Sequence, residues 1–126
     1  MDVKILFVDI ECKFDKYEKY LNLISNERVE KIKKFKFDKD KIISFFTELL
    51  MRNEISTSLN INFNEIVFAY GKYGKPYLPN VSGFYFSVSH SGNCIVFVSS
   101  HKEIGIDVEK IIAADFMVSQ SFFTSN

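Results

Sequence analysis

The sequence predicts an α+β domain in which two helices pack on a mainly antiparallel sheet. Apolar residues follow helical spacing between residues 27 and 58, and short alternating stretches separated by turn signals fill residues 84–109. Helices followed by a run of strands are typical of the α+β class. The 126 residues, 47% apolar and 16% aromatic, suffice for one domain, or for part of a larger one, with a phenylalanine-rich core.

The N-terminal part is predicted to hold a strand followed by the first helix. The apolar run over residues 3–10 predicts a well-buried strand. Ser25 or Asn26 is the expected N-cap of a helix from about Glu27 to Lys34, because an acidic first turn favours a helix N-terminus.

The second helix is predicted over about Lys39–Ser58, with Asp38 as its N-cap. Apolar side chains recur three and four positions apart along this stretch, so they define one face that must be buried. That face consists of Ile42, Phe45, Phe46, Leu49, Leu50 and Ile55.

Short strands are predicted for the remainder of the chain. A first candidate covers residues 65–70, and residues 71–76 break regular structure. Lys75 precedes a proline and is therefore biased to an extended backbone. A three-stranded antiparallel meander is predicted from strands at 84–90, 94–99 and 104–109, joined by turns at 91–93 and 101–103.

Charge and composition exclude several classes of protein. The net charge is zero and the pI about 6.7, which argues against nucleic-acid binding by bulk electrostatics. The apolar run at residues 3–8 is interrupted by Lys4, so neither a signal peptide nor a membrane span is expected. Cys12 and Cys94 show no metal-ligand or redox spacing and are expected to be free thiols of a cytoplasmic protein.

Cationic side chains are concentrated between residues 28 and 41. Such a run is usually a solvated helix face, and the alternative is attraction of a phosphate-bearing ligand. The cations are Arg28, Lys31, Lys33, Lys34, Lys36, Lys39 and Lys41, interspersed with Glu30, Asp38 and Asp40.

The strand at 104–109 carries two carboxylates on one face. Asp107 and Glu109 alternate with aliphatic residues, so the period of a strand places both on the side opposite the aliphatic side chains. Such carboxylates commonly face water, and the alternative is that they hold a hard divalent cation. His90 at a strand end and Lys75 in a loop are, each taken alone, more often structural or surface residues.

Three segments together resemble the Sfp-type 4′-phosphopantetheinyl transferases, whose pattern is G-K-P, then F-N-x-S-H-S, then G-x-D-x-E. Here the segments are Gly74-Lys75-Pro76, Phe86-Ser87-Val88-Ser89-His90-Ser91 and Gly105-Ile106-Asp107-Val108-Glu109. The resemblance covers most of the chain and implies one half of the pseudo-twofold fold of that family.

The resemblance also implies a reaction and a site. Members of the family transfer the phosphopantetheine arm of coenzyme A to a serine of an apo acyl or peptidyl carrier protein and release 3′,5′-ADP. Asp107 and Glu109 would then bind Mg²⁺, with Mn²⁺ as the alternative metal, and both residues and His90 would be catalytic. The coenzyme A contacts would come from Arg28, Lys31, Lys75, Pro76, Ser89 and His90.

The chain departs from the family pattern in two ways. Ile43 and Ser44 stand where a basic residue is common, and the tryptophan-containing motif of the second half is absent. We therefore expect residues 1–112 to form the N-terminal subdomain and residues 113–126 to begin the linking region. A homodimer is expected to replace the second half, and the alternative function is a catalytically incomplete half that binds coenzyme A or a carrier protein.

Overall fold

A computed structural model of the chain describes residues 1–103, and it divides the chain into two compact units. The first unit comprises Met1–Leu6 and the chain from Val67 onward, and the second comprises Phe7–Ile66. The first unit contains the strands and the second the longer helices, so the molecule has the predicted α+β class. Within the described residues, no helix is long and apolar enough to cross a membrane.

The unit Phe7–Ile66 contains two α-helices that pack against each other, α1 (Asn26–Lys33) and α2 (Asp38–Leu59). The Ser25 side chain caps α1 by accepting a hydrogen bond from the backbone N–H of Arg28, as the sequence predicts. The predicted cap of α2 is wrong by one residue. Phe37 has the extended backbone of an N-cap and makes no side-chain cap, so Asp38 is the first helical residue, where its charge still favours the helix N-terminus.

A 3₁₀ helix at Phe14–Leu23 precedes α1 and is absent from the sequence-based prediction. It packs against α2 and contributes to an aromatic cluster in which Phe14 meets Phe45 edge-on, with ring centroids 6.0 Å apart. Tyr17 lies between Phe45 and Phe46, stacked on the first and edge-on to the second. These contacts hold the 3₁₀ helix through packing, because helices of this type have little intrinsic stability.

Helix α2 is buried over most of its central part. Ile42, Phe45 and Ile55, predicted to face inward, are at most 1% exposed. The buried set is wider than one stripe, because it also includes Ile43, Met51 and four polar residues. Those four are Ser44, Thr47, Glu48 and Arg52.

The other unit is built on a sheet whose described strands lie in the order β1-β5-β4. Strand β1 spans Asp2–Phe7, β4 spans Tyr85–Ser91 and β5 spans Cys94–Ser100. β4 and β5 form an antiparallel hairpin whose last pair is Ser91 with Cys94, so the turn has two residues. Gly92 occupies its first position at φ +57°, a conformation that glycine adopts without steric cost.

The predicted hairpin at 84–99 is therefore confirmed, but the predicted burial of the first strand is wrong. β5 lies between two neighbours, and its residues Cys94–Ser99 are all buried, whereas four of the six residues of β1 are exposed. The apolar run of β1 therefore does not correspond to a strand covered on both faces.

The third strand of the predicted meander, residues 104–109, lies outside the described residues. In the described part of the sheet, β5 lies between β4 and β1, and the sequence did not predict β1 as its neighbour.

The strand predicted over 65–70 is much shorter than expected. β2 (Ala69–Tyr70) pairs antiparallel with β3 (Pro76–Tyr77), and Glu65 belongs instead to a short 3₁₀ turn, Phe63–Glu65. The connection between β2 and β3 is a 3₁₀ turn at Lys72–Gly74. This small sheet presents the Lys75–Pro76 dipeptide, and β3 also packs against β4.

Candidate functional site

Arg28, one of the predicted coenzyme A contacts, is held by a buried carboxylate on α2. Its Nε donates to Oε1 of Glu48 at 3.4 Å, and its Nη1 donates to the hydroxyl of Ser44 at 3.2 Å. The side chain of Glu48 is 0% exposed and that of Arg28 is 10% exposed. The pair is therefore shielded from solvent, so its interaction is stronger than that of a surface ion pair.

The same carboxylate binds the start of α1. The backbone N–H of Ser25 donates to Oε2 of Glu48, and the Ser25 hydroxyl donates to Oε1 at 2.9 Å. Because Ser25 is also the N-cap of α1, the buried charge of Glu48 fixes the end of the helix that carries Arg28.

A second guanidinium, that of Arg52 on α2, completes a cluster around Glu48 that also contains Ser25 and Arg28. Nε of Arg52 donates to Oε2 of Glu48 at 3.0 Å, one helical turn away. Nη1 of Arg52 donates to the backbone carbonyls of Phe63 at 3.1 Å and Ile66 at 3.0 Å. Arg52 thereby ties the segment after α2 to the same carboxylate, and two guanidinium charges share one negative charge.

Lys31 lies three residues after Arg28 on α1, and the two cations affect each other. Desolvation first, and the charge of Arg28 second, lower the pKa of Lys31 from its ordinary value. Two neighbouring cations disfavour each other's charge, and a bound anion would relieve this repulsion. The structure thus brings together the two candidate residues of the helical unit.

The candidate residues of the sheet unit lie on two elements. Lys75 is exposed and has an extended backbone, φ −69° and ψ 123°, as its position before proline predicts. Its carbonyl accepts a hydrogen bond from the N–H of Gly71 at 2.8 Å, which closes the connection between β2 and β3. Pro76 begins β3 and pairs with Tyr70. The turn therefore has a defined shape at the Gly-Lys-Pro motif.

Ser89 and His90 are consecutive residues of β4, and their pairing with β5 is regular. Ser89 pairs with Val96 and His90 with Ile95. Successive side chains of a strand point to opposite faces, so these two residues belong to different faces of the sheet. His90 is exposed and Ser89 is half-buried.

The predicted metal ligands, Asp107 and Glu109, lie outside the described residues. In the part of the chain that the structure describes, no three histidine, cysteine, aspartate or glutamate side chains come together as a metal site. The metal prediction therefore rests on the sequence pattern of these two carboxylates, whose oxygen chemistry suits Mg²⁺.

Glu48 is the functional residue of this cluster that was not predicted from the sequence. Its signal is an acidic and a basic residue four apart, Glu48 and Arg52, set among apolar residues on a helix. Charged residues are almost never fully buried unless they are paired, so a pair of this kind in an apolar stretch indicates an internal ion pair.

Comparison with known proteins gives the same family for the matching family model and for the similar proteins. The family model described as "4′-phosphopantetheinyl transferase, N-terminal" matches residues 11–102. The chain is 27% identical over 124 residues to 4′-phosphopantetheinyl transferase Sfp of Bacillus subtilis (strain 168), covering 98% of this chain and 55% of that protein.

Two further relatives come from other organisms. The chain is 30% identical over 126 residues to 4′-phosphopantetheinyl transferase gsp of Aneurinibacillus migulanus, covering 98% of this chain and 52% of the relative. It is 30% identical over 114 residues to the L-aminoadipate-semialdehyde dehydrogenase-phosphopantetheinyl transferase of Candida glabrata, covering 88% and 42%. The chain thus spans about half the length of the curated relatives it matches.

Proposed function

The chain belongs to the 4′-phosphopantetheinyl transferase family, and from this premise we propose that it serves the transfer of the phosphopantetheine arm of coenzyme A to a serine of an apo acyl or peptidyl carrier protein. The observation that carries the proposal is the match of the N-terminal family model to residues 11–102, together with alignments to full-length transferases over 98% of the chain.

In the proposed reaction, the serine hydroxyl of the carrier attacks the phosphorus that bears the pantetheine arm. The new bond joins the serine oxygen to that phosphorus, and the phosphoanhydride bond of coenzyme A breaks. The bridging oxygen leaves with 3′,5′-ADP, and the hydroxyl proton passes to a base. Negative charge therefore develops on the pyrophosphate, and cationic donors stabilise it.

We assign Arg28, Lys31, Lys75, Pro76, Ser89 and His90 to coenzyme A. Arg28 has a fixed guanidinium, and Lys31 adds a second cation beside it, so this end of α1 suits a phosphate group. Lys75 is an exposed cation on a turn of defined shape. These features support the assignment to an anionic ligand.

We assign Asp107 and Glu109 to Mg²⁺ or Mn²⁺. One or two carboxylates with substrate phosphates are a common set of ligands for Mg²⁺, and the ion would neutralise charge on the pyrophosphate.

The experiment is the intact mass of an apo carrier protein after incubation with the chain, coenzyme A and Mg²⁺. A metal-dependent gain of one phosphopantetheine is the expected result. Asp107→Asn is expected to reduce transfer by at least about 10²-fold, the size of a lost charge-stabilising group, and Glu103→Gln, a nearby exposed carboxylate, serves as the matched control. No gain, while a full-length transferase succeeds in parallel, would contradict the proposal for this chain.

A second candidate function is a binding half that holds coenzyme A without completing the transfer. This candidate is favoured because the chain spans only 55% and 52% of the length of two transferases that it resembles. Thermal unfolding separates it from a purely structural domain, because a ligand at 100 times its Kd stabilises the folded state by about 2.7 kcal/mol. Stabilisation by coenzyme A without transfer would favour this candidate. If neither stabilisation nor transfer were observed, both functions would be unsupported.

A further inference from the structure

The cluster around Glu48 has a property that ordinary structural ion pairs lack, since the carboxylate holds a residue assigned to the ligand. Both oxygens of Glu48 are used, Oε1 by the Ser25 hydroxyl and Arg28, and Oε2 by the Ser25 N–H and Arg52. A fully buried carboxylate with four donors has little freedom to move. The groups that donate to this carboxylate, including the Arg28 guanidinium, are therefore held in place.

Arg28 is only partly used by this cluster. Its Nε and Nη1 are bonded to Glu48 and Ser44. Among residues 1–103, every buried side-chain nitrogen or oxygen has a hydrogen-bond partner, and no hydrogen bond is found for Nη2 of Arg28, so that atom is not buried. One edge of the guanidinium is thus held from inside, and Nη2 on the other edge keeps limited contact with solvent, in a side chain that is 10% exposed.

The bonds of the two arginines differ in kind. Both guanidinium groups donate to the one carboxylate of Glu48. Arg52 also donates to two backbone carbonyls of the same unit. Arg28 lies instead beside a second cation, Lys31, so an anionic group would find two positive charges there.

We propose that Glu48 is a positioning residue for the proposed transfer: it orients the Arg28 guanidinium, and the α1 N-terminus with it, so that the Nη2 edge of Arg28 binds an anionic group of coenzyme A. Glu48 touches no substrate in this proposal and acts through Arg28. The inference rests on the proposed function, in which Arg28 binds coenzyme A.

The chain contains two arginines, Arg28 and Arg52, and both donate Nε–H to Glu48. A ¹⁵N NMR spectrum therefore shows two arginine Nε–H signals, which Arg28→Lys assigns. We expect Glu48→Gln to shift the Arg28 signal and to raise its exchange rate with water. Glu30→Gln is the matched control, because it removes the same charge from an exposed position of α1.

Binding of 3′,5′-ADP and of coenzyme A to the full chain provides the functional readout. Glu48→Gln is expected to weaken both by about tenfold, because misplacing a binding group by a fraction of an ångström has effects of this order. Glu48→Asp keeps the charge and is expected to bind more tightly than Glu48→Gln. In an Arg28→Gln background, Glu48→Gln should change affinity less than twofold, which a purely structural role does not predict.

The two proposals fail in different ways. If the unsubstituted chain binds both ligands and folded Glu48→Gln binds them within twofold, the positioning role is overturned while the proposed function stands. If the unsubstituted chain binds neither ligand, the proposed function fails, and so does the role of Glu48 in it. An unchanged Arg28 signal in Glu48→Gln overturns the proposal in either case. Thermal unfolding of each variant confirms that the protein is folded at the temperature of measurement.

Discussion

Ser25 donates two hydrogen bonds to Glu48, one from its backbone N–H to Oε2 and one from its hydroxyl to Oε1 at 2.9 Å. The same hydroxyl accepts the N–H of Arg28 at 3.2 Å, as the N-cap of α1. One serine thus joins the end of a short helix to a fully buried charge of α2. Because α1 has only eight residues, this connection supplies stability that a short helix lacks on its own.

Replacement of Ser25 by alanine should therefore destabilise the protein more than loss of a typical N-cap. The variant loses the cap and leaves a buried carboxylate with one donor fewer, and we expect the free energy of unfolding to fall by about 2 kcal/mol. Denaturant unfolding measures it. Ser25→Thr keeps the hydroxyl and should lose less than half of this, and exposed Ser58→Ala is the control. A loss below about 0.5 kcal/mol for Ser25→Ala would contradict the arrangement.

Two substitutions that each remove a cationic side chain compare a buried ion pair with an exposed one. Arg52→Met removes a guanidinium from Glu48 and leaves two backbone carbonyls without their donor, so we expect a loss of about 3–5 kcal/mol. Lys33→Met breaks the pair with Glu30, whose side chain is 67% exposed, and should change stability by less than about 0.5 kcal/mol. Equal effects of the two variants in denaturant unfolding would show that Arg52 does not hold the cluster.

The two cysteine thiols should differ in reactivity. Cys94 is buried at the start of β5, and burial raises the pKa of its thiol. Cys12 is only half-buried. Reaction with a chromogenic disulfide reagent should give one fast and one slow phase, because a buried thiol must wait for opening of the structure. Cys12→Ser should abolish the fast phase and Cys94→Ala the slow one, and a single fast phase of two thiols would be incompatible with buried Cys94.

The raised pKa of Cys94 also predicts a loss of stability at high pH. The folded state keeps this thiol protonated above the pKa that it has in the unfolded chain, so its contribution is complete below the unfolded value and is lost as the pH rises toward the folded value. Between pH 7 and pH 10 the unsubstituted chain should lose more stability than Cys94→Ala. Parallel curves of unfolding free energy against pH for the two proteins would contradict this.

The sequence predicts elements that are specified locally and is less informative where tertiary contacts decide. The Ser25 cap, α2 and the hairpin around Gly92 follow from side-chain chemistry and periodicity, and the structure contains all three. The 3₁₀ helix at Phe14–Leu23 is held by rings of α2, which no local pattern reveals.

The same distinction applies to the candidate site. The Gly-Lys-Pro turn and the alternation of Ser89 and His90 are local, and their positions follow from the sequence. Glu48 bonds to Ser25 and Arg28, 23 and 20 residues earlier in the chain. Such long-range pairing cannot be derived from spacing. For the same reason the exposure of β1 was not predicted, because it depends on which distant parts of the chain pack on the faces of the strand.

The pKa of Lys31 provides a test of the site that requires no ligand. Desolvation and the Arg28 charge both disfavour its protonated form, so the pKa of Lys31 should lie below its ordinary value, and folding should gain stability as the pH rises through this lowered pKa toward the unfolded value. Arg28→Gln removes the second cause, so the pKa of Lys31 should rise, while desolvation should still keep it below the ordinary value. NMR titration of ¹³C-methylated lysines measures both proteins, and exposed Lys33 serves as the internal control. If Lys31 titrates identically with and without Arg28, the two cations do not share one site, and the assignment of both to a single phosphate group fails.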